Sequence, residues 1–297
     1  MNLAVNYSAP AAGLVRSGQI QIDRFKCPAW PELVTSVQAM HPLYVHFPLR
    51  VGTGIGDALD TEAKQPADWK KIERLLAQTG TPLVNLHLAP TVEDYPAMPA
   101  DTTDPAEVEM LTEALIRDVR AVVRRLGPEY VIVENDYSGF GNLRPACLPA
   151  TIGCVVQETG CGLLCDLAHA SISALDLGMD VSDYIGALPM QAIREIHISG
   201  VQHLAARQLD AMRRAGVDAG TLQSLAGRRL DHLALTGQDW ELCAWSMEHI
   251  QAGQWGSPWV VASEYGGVGP LWESVTDMDV LAEQMPRLYT LVKGEIP

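Results

Sequence analysis

Basic side chains are scarce in this 297-residue chain: 21 Lys and Arg stand against 36 Asp and Glu, a formal charge of −15. Nucleic-acid affinity rests on neutralising phosphates with Lys and Arg, so general DNA binding is disfavoured. Long apolar runs are also missing. No stretch approaches the ~20 consecutive apolar residues of a membrane helix, which excludes a membrane-spanning reading. The amino terminus, Met1 to Pro10, lacks the basic and long apolar regions of a secretory signal, and a cytoplasmic protein is expected. Six cysteines (Cys27, Cys147, Cys154, Cys161, Cys165, Cys243) are too few for a disulfide scaffold. Reduced thiols are expected, with Cys161 and Cys165 buried as small hydrophobes around an apolar Gly-Leu-Leu run. No low-complexity tract or Pro/Gly/Ser linker marks a boundary, so residues 1–297 are expected to form a single domain.

One segment departs from the acidic background. In residues 201–230, Arg207, Arg213, Arg214, Arg228 and Arg229 face only Asp210 and Asp218. The segment reads as a helical insertion or lid. Its arginines form either a solvated helix face or a docking surface for an anionic substrate or partner.

The apolar residues, 47% of the chain, are organised as short Val/Ile/Leu/Tyr-rich runs alternating with longer amphipathic stretches. This is the pattern of repeated βα units around a parallel sheet. Strands are expected at Leu3–Ser8, Leu43–Phe47, Leu83–Leu88, Tyr130–Glu134, Leu163–Asp166, Ile193–Ile198 and Trp259–Glu264, with a weaker eighth at Leu230–Leu235. The clearest helix is capped by Asp104-Pro105, carries apolar residues from Val108 to Leu126 at three- and four-residue steps, and stops at Gly127. A shorter one runs from Asp68 to Gly80. Others are expected near 31–40, 145–159, 181–188, 237–252 and 277–293. Eight strands alternating with helices over ~300 residues favour a (β/α)8 TIM barrel, with 201–230 inserted between the sixth and seventh strands. The chemistry of such a barrel sits at the carboxyl ends of its strands.

Those ends are polar. The strands finish at His46, His87, Glu134, Asp166, His197 and Glu264; His169 follows Asp166 by three residues, and Asp231 and His232 lie in the weak strand. The polar ends recur about every 36 residues, close to one βα unit. Five imidazoles and at least three carboxylates gathered at one barrel mouth would be very costly to bury without a compensating cation, so a metal cluster is expected. Mixed His and carboxylate ligation suits zinc, iron or manganese better than magnesium or calcium. Eight or more candidates exceed what one ion uses, which implies two or three divalent ions. The Gly-rich Val51 to Gly56 lacks the spacing of a phosphate loop or dinucleotide fingerprint and reads as a mobile loop beside the site. Arg50, next to it, either holds an anionic substrate group or is a plain surface arginine.

Taken strand by strand, His46, His87, Glu134, Asp166-x-x-His169, His197, His232 and Glu264 resemble the metal ligands of endonuclease IV in the xylose-isomerase-like TIM-barrel superfamily. A closer resemblance is to the multinuclear non-haem iron family typified by the methanobactin-biosynthesis oxidase. It is carried by Cys161-Gly-Leu-Leu-Cys-Asp166, Ser-Ala-x-x-x-Gly at 173–178, Tyr184 with Leu188-Pro189, Arg194-Glu-Ile-His-Ile-Ser-Gly200, Glu134-Asn135 and Glu264-Tyr-Gly-Gly267. The resemblance adds Asn135 and Tyr265 as candidate substrate contacts. It departs where the family often has Asp-x-Asn-Asn, here Asp166-Leu-Ala-His169. It departs again where the family has Asp-x-His, here Leu230-Asp231-His232.

The resemblance implies an iron-dependent oxidative enzyme acting on a peptide or small molecule, with a partner protein that presents the substrate. The residues alone leave two alternatives open: a zinc- or manganese-dependent sugar isomerase, epimerase or phosphoesterase, and a non-catalytic metal-binding module.

Overall fold

The computed structural model describes residues 1–294; the last three residues of the expected 1–297 unit lie outside the described residues. Eight parallel staves form a closed barrel: β1 (Asn2–Asn6), β2 (Arg24–Pro28), β3 (Leu43–His46, resuming after Phe47-Pro48 as Leu49–Val51), β4 (Val84–Leu88), β5 (Val131–Glu134), β6 (Gly162–Asp166), β7 (Ile193–Ile198) and β8 (Val260–Ser263). The first half of β3 pairs with β2, and the sheet then runs through β1, β8, β7, β6, β5 and β4. Closure occurs where β4 pairs with the second half of β3, Arg50 opposite His87 and Val51 opposite Leu88. The chain therefore changes partners at Phe47-Pro48, in the middle of one stave.

Alternation along the staves sorts the two faces. Leu3, Val5, Phe25, Cys27, Val45, Leu86, Val133, Leu163, Cys165 and Val261 belong to the main apolar core with the surrounding helices. Each such buried Val, Leu or Phe is worth about 1.5–3 kcal/mol of transfer free energy. The opposite positions face the barrel axis, and it is these that carry Lys26, Tyr44, Asn85, Glu195 and the polar strand ends.

The helices form where capping and periodicity require. Pro105–Leu126 starts at Asp104, whose carboxylate accepts from the Ala106 and Glu107 amides, and buries Leu111, Leu115, Val119 and Val122. Trp69–Thr79 is capped by Asp68 and ends on left-handed Gly80. Leu167–Leu177, directly after β6, was not expected; Asp166 caps it by accepting from the His169 amide at 2.8 Å. The cysteines are free, and Cys161 and Cys165 are buried. Burial pushes the Cys161 thiol up to about 11 and the Cys165 thiol higher still, as inert core thiols require.

Two strand assignments differ from expectation. Leu230–Leu235 is not a stave: Arg229–Leu233 pairs antiparallel with Gly200–His203 in a separate two-stranded ribbon. The eighth stave is Arg24–Pro28, whose inward Arg24 and Lys26 disguise it as a polar loop. With that stave counted, the 201–230 insertion lies between β7 and β8. It contains helices Ala206–Arg214 and Ala219–Leu225 and packs a small core of its own, Met212, Leu222, Leu225, Leu230 and Leu233 against Val275. All five of its arginines are exposed.

The Gly-rich segment is pinned, contrary to its reading as a mobile loop. The amides of Gly52, Gly54 and Gly56 donate to the buried Asp118 carboxylate at 3.0, 3.1 and 2.8 Å. All three glycines have positive φ (92°, 79°, 73°), which turns alternate N–H groups toward one point. Among the described residues, no helix is long and apolar enough to cross a membrane.

Candidate metal centre

The carboxyl ends of the staves open into a cavity of about 430 Å³ whose floor includes His46, His87, Glu134, His169, Asp231, His232 and Glu264. Asp166 and His197 are fully buried beneath it. The aromatic residues Tyr7, Trp30, Tyr137 and Trp272 line its walls.

Glu134, at the end of β5, is central. Its Oε2 lies 3.6 Å from His46 Nε2 and 3.5 Å from His87 Nδ1, while its Oε1 lies 3.6 Å from both His169 Nδ1 and His197 Nδ1. His46 and His87 approach each other at 3.2 Å through their Nε2 atoms. On the far side, His197 Nδ1 is 3.1 Å from Glu264 Oε1 and 3.9 Å from Asp166 Oδ2. A third grouping joins His169 Nε2 to Asp231 Oδ2 at 3.0 Å, with His232 Nε2 3.6 Å from Asp231 and 3.7 Å from Glu264. These approaches run from 3.0 to 3.9 Å, close to the ~3–3.5 Å that separates donor atoms about 2.0–2.2 Å from a shared ion. All nine expected ligand residues are thus brought into one continuous cluster.

Three buried atoms in it, Glu134 Oε2, Asp166 Oδ2 and His197 Nδ1, have no hydrogen-bond partner. They belong to residues whose donor atoms all lie within 4.8 Å of one another; His46, His87 and Glu134 form a second such group. A buried unpaired carboxylate oxygen is costly, and a cation is the partner that removes the cost. The donor set fits a borderline divalent metal.

The charges of the side chains in the cluster arrange themselves accordingly. Burial, reinforced by the neighbouring Glu264 and Glu134, pushes Asp166 up to about 8. Burial would also raise Glu134, but His87, His197 and His46 outweigh it and hold the carboxyl well below its ordinary range. Burial opposes the protonation of His197, yet Glu264 and other neighbours raise it to about 10.

Asp231 and His232 are adjacent, and adjacent side chains in a strand normally point to opposite faces. His232 escapes this rule with φ of 58°. Its amide donates to Ser199 Oγ at 3.0 Å and its carbonyl accepts from the Gly266 amide at 3.0 Å. The expected departure from Asp-x-His is therefore absorbed by the backbone, which brings both side chains to the mouth. Trp272 stacks on the His232 ring at 4.7 Å.

The three expected substrate contacts are placed elsewhere. Arg50 is bound by Asp94, Nη2 to Oδ1 at 3.0 Å, and is absent from the cavity wall. Asn135 is fully buried and ties β5 to β6, donating to the Asp166 carbonyl and accepting from the Asp166 amide, both at 2.9 Å. Tyr265 is buried; its hydroxyl donates to the Val275 carbonyl and accepts from the Asp277 amide, both at 3.0 Å. Instead Asp136 and Tyr137, immediately beyond Asn135, line the cavity. Lys26, Glu195 and Asn85 also escaped sequence reasoning. Glu195 and Asn85 each stand two residues before a strand-end histidine and so share its face, a usable signal; Lys26 lies on the unrecognised stave.

A (β/α)8 barrel with a His/carboxylate cluster at the carboxyl ends of its staves defines a barrel able to hold metal in its mouth. The chain belongs to the MbnB/TglH/ChrH family of RiPP precursor modification enzymes, whose model matches residues 26–219, more than half of the chain. A UPF0276 protein of Caulobacter vibrioides (strain NA1000 / CB15N) is 28% identical over 214 residues, covering 64% of this chain and 72% of the relative. A UPF0276 protein of Bordetella pertussis is 44% identical over 61 residues, 20% of each chain. Among solved structures, D-psicose 3-epimerase with D-tagatose from Clostridium cellulolyticum H10 superposes with a TM-score of 0.51 at 10% identity, covering 99% of both chains, a likeness of fold alone. Endonuclease IV from Thermus thermophilus gives a TM-score of 0.43 at 14% identity, covering 92% of this chain and 95% of that one.

Proposed function

We propose that this protein is an iron-dependent oxidative enzyme that modifies a ribosomally made peptide, using two or three ions held by His46, His87, Glu134, Asp166, His169, His197, Asp231, His232 and Glu264. The observation that carries this reading is the convergence of the unpartnered Glu134 Oε2, Asp166 Oδ2 and His197 Nδ1 at and just beneath the floor of the cavity. Membership of a peptide-modifying family supports the peptide substrate.

Iron held there supplies redox chemistry and Lewis acidity. The chain's own residues do the rest. Glu134 offers one oxygen to each side of the cluster and so fixes the two sides at a set separation. Tyr7, Trp30, Tyr137 and Trp272 give the cavity apolar walls that exclude water and seat a side chain of the peptide. The buried Asn135 sets the height of Asp166, and its carbonyl accepts from His169 Nδ1 at 2.9 Å, which directs Nε2 of that histidine at Asp231.

Metal analysis of protein purified without chelators tests the proposal. Two or three iron ions per chain, with a Mössbauer signature of coupled non-haem iron, are expected. Stoichiometric zinc or manganese in place of iron would overturn the oxidative assignment. Less than one metal per chain would overturn the whole reading.

A further inference from the structure

The inward positions one step below the strand ends form a second polar layer. Lys26, Tyr44, Asn85 and Glu195 occupy it, all buried. Three of them grip the layer above, and Tyr44 braces one of the three. Lys26 Nζ pairs with the Glu264 carboxylate, and Asn85 Nδ2 lies 3.0 Å from His46 Nε2. Glu195 Oε1 meets His197 Nε2 at 2.9 Å and accepts from the Tyr44 hydroxyl at 2.7 Å. The space comes from small neighbours, Ala4 on β1 and Ala262 on β8, which form an apolar patch with Tyr44 and Val260.

We propose that Glu195 is a positioning residue: with Tyr44 behind it, it holds His197 as the Nε2–H tautomer and so commits His197 Nδ1 to the metals. An imidazole offers two nitrogens, and the hydrogen bond made by one decides the role of the other. The His197 ring is 0% exposed. Its Nε2 is hydrogen-bonded to the Glu195 carboxylate, whereas its Nδ1 makes no hydrogen bond and faces Glu264, Glu134 and Asp166 at 3.1, 3.6 and 3.9 Å. The support continues downward. The Tyr44 ring stands edge-on to Trp259 with centroids 5.4 Å apart, and the Arg24 guanidinium lies 5.5 Å from the same indole. Arg24, Trp259, Tyr44, Glu195 and His197 thus form one column from the lower barrel to the cluster.

Glu195 could instead be a ligand itself, since it shares a group of close donor atoms with His46 and His197. Two substitutions separate these roles. In Glu195→Gln the amide oxygen still accepts from His197 and Tyr44; in Glu195→Leu nothing does.

The inference rests on the metal-centre reading above, and the experiment separates their failures. Full-length protein is stripped, then titrated anaerobically with Fe(II) and separately with Zn(II) against a competing chelator. Thermal melts of the metal-free forms serve as the folding control. Glu195→Leu is expected to weaken the uptake of one equivalent ~10–100-fold, and Glu195→Gln to restore most of that loss. In the Zn(II) form, histidine ¹⁵N shifts should show His197 protonated at Nε2. Wild-type affinity in Glu195→Leu, or protonation of His197 at Nδ1, would overturn the positioning role and leave the metal centre standing. Equal losses in the Gln and Leu variants would make Glu195 a ligand and overturn it likewise. A wild-type chain that takes up no metal overturns both readings. Should Glu195→Leu fail to fold, Tyr44→Phe decides: weaker uptake is expected, and unchanged uptake refutes the column.

Discussion

Asp231 and His232 present their side chains on the same side of one strand, because left-handed φ at His232 cancels the alternation that neighbours in a strand obey. The pair reaches the mouth from the ribbon, outside the barrel wall, and meets His169 from the start of the helix after β6. This third grouping is therefore separable from the rest.

Asp231→Ala is accordingly expected to lower the metal content by about one ion per chain and leave the remainder in place. Elemental analysis of the purified variant against wild type is the check. Unchanged content would exclude residues 231 and 232 from the ligand set.

Glu134 contacts both halves of the cluster with different oxygens. Glu134→Ala should therefore cost more than any other single substitution, leaving less than one metal per chain. His197→Ala, which removes one nitrogen, should strip at least one ion. The reverse ranking in a side-by-side metal assay would contradict the bridging position of Glu134.

Asp118 lies in the loop anchor and is no part of the cluster. Asp118→Ala leaves three glycine amides without their acceptor, including that of the buried Gly52. One or two unsatisfied buried donors predict a loss of about 2–4 kcal/mol. Urea unfolding of the metal-free protein measures it. Metal stoichiometry should stay at the wild-type value, which distinguishes this variant from the ligand substitutions.

Chelation should destabilise the wild-type protein, since an ion bound only by the folded chain stabilises by about 2.7 kcal/mol at one hundred times its dissociation constant. The melting temperature is expected to fall on chelation and return on adding back Fe(II). The Glu134→Ala melt should be indifferent to chelator, and a chelator response equal to wild type would count against the cluster.

Much of this architecture was legible in the sequence. Seven of the eight staves are visible as apolar runs, and the polar residues closing five of them, from His46 to His197, fall 31–47 residues apart. The stave at Arg24–Pro28 stayed hidden because its inward face carries Arg24 and Lys26, whose partners Trp259 and Glu264 lie over two hundred residues away. Leu230–Leu235 was assigned to the barrel wall for the converse reason: its alternation suits any half-buried strand, and only long-range pairing decides which sheet takes it. At the site, residue type and strand position were enough to nominate nine candidate ligands. They were not enough for Arg50, Asn135 and Tyr265, because nothing local reveals that Asp94 binds Arg50 or that Val275 and Asp277 occupy the Tyr265 hydroxyl.

The change of partner at Phe47-Pro48 makes this barrel a cylinder with a seam. Asn85 stitches it from below, accepting from the Phe47 amide at 2.8 Å and donating to the Phe47 carbonyl at 3.0 Å. His46 stands on one lip, on the half-stave held by β2, while His87 and Glu134 stand across it on β4 and β5. An ion shared by these three would rivet the cylinder shut. Loading the centre would then do mechanical work as well as chemical work, and amide exchange at Phe47–Val51 should slow when the rivet is in place.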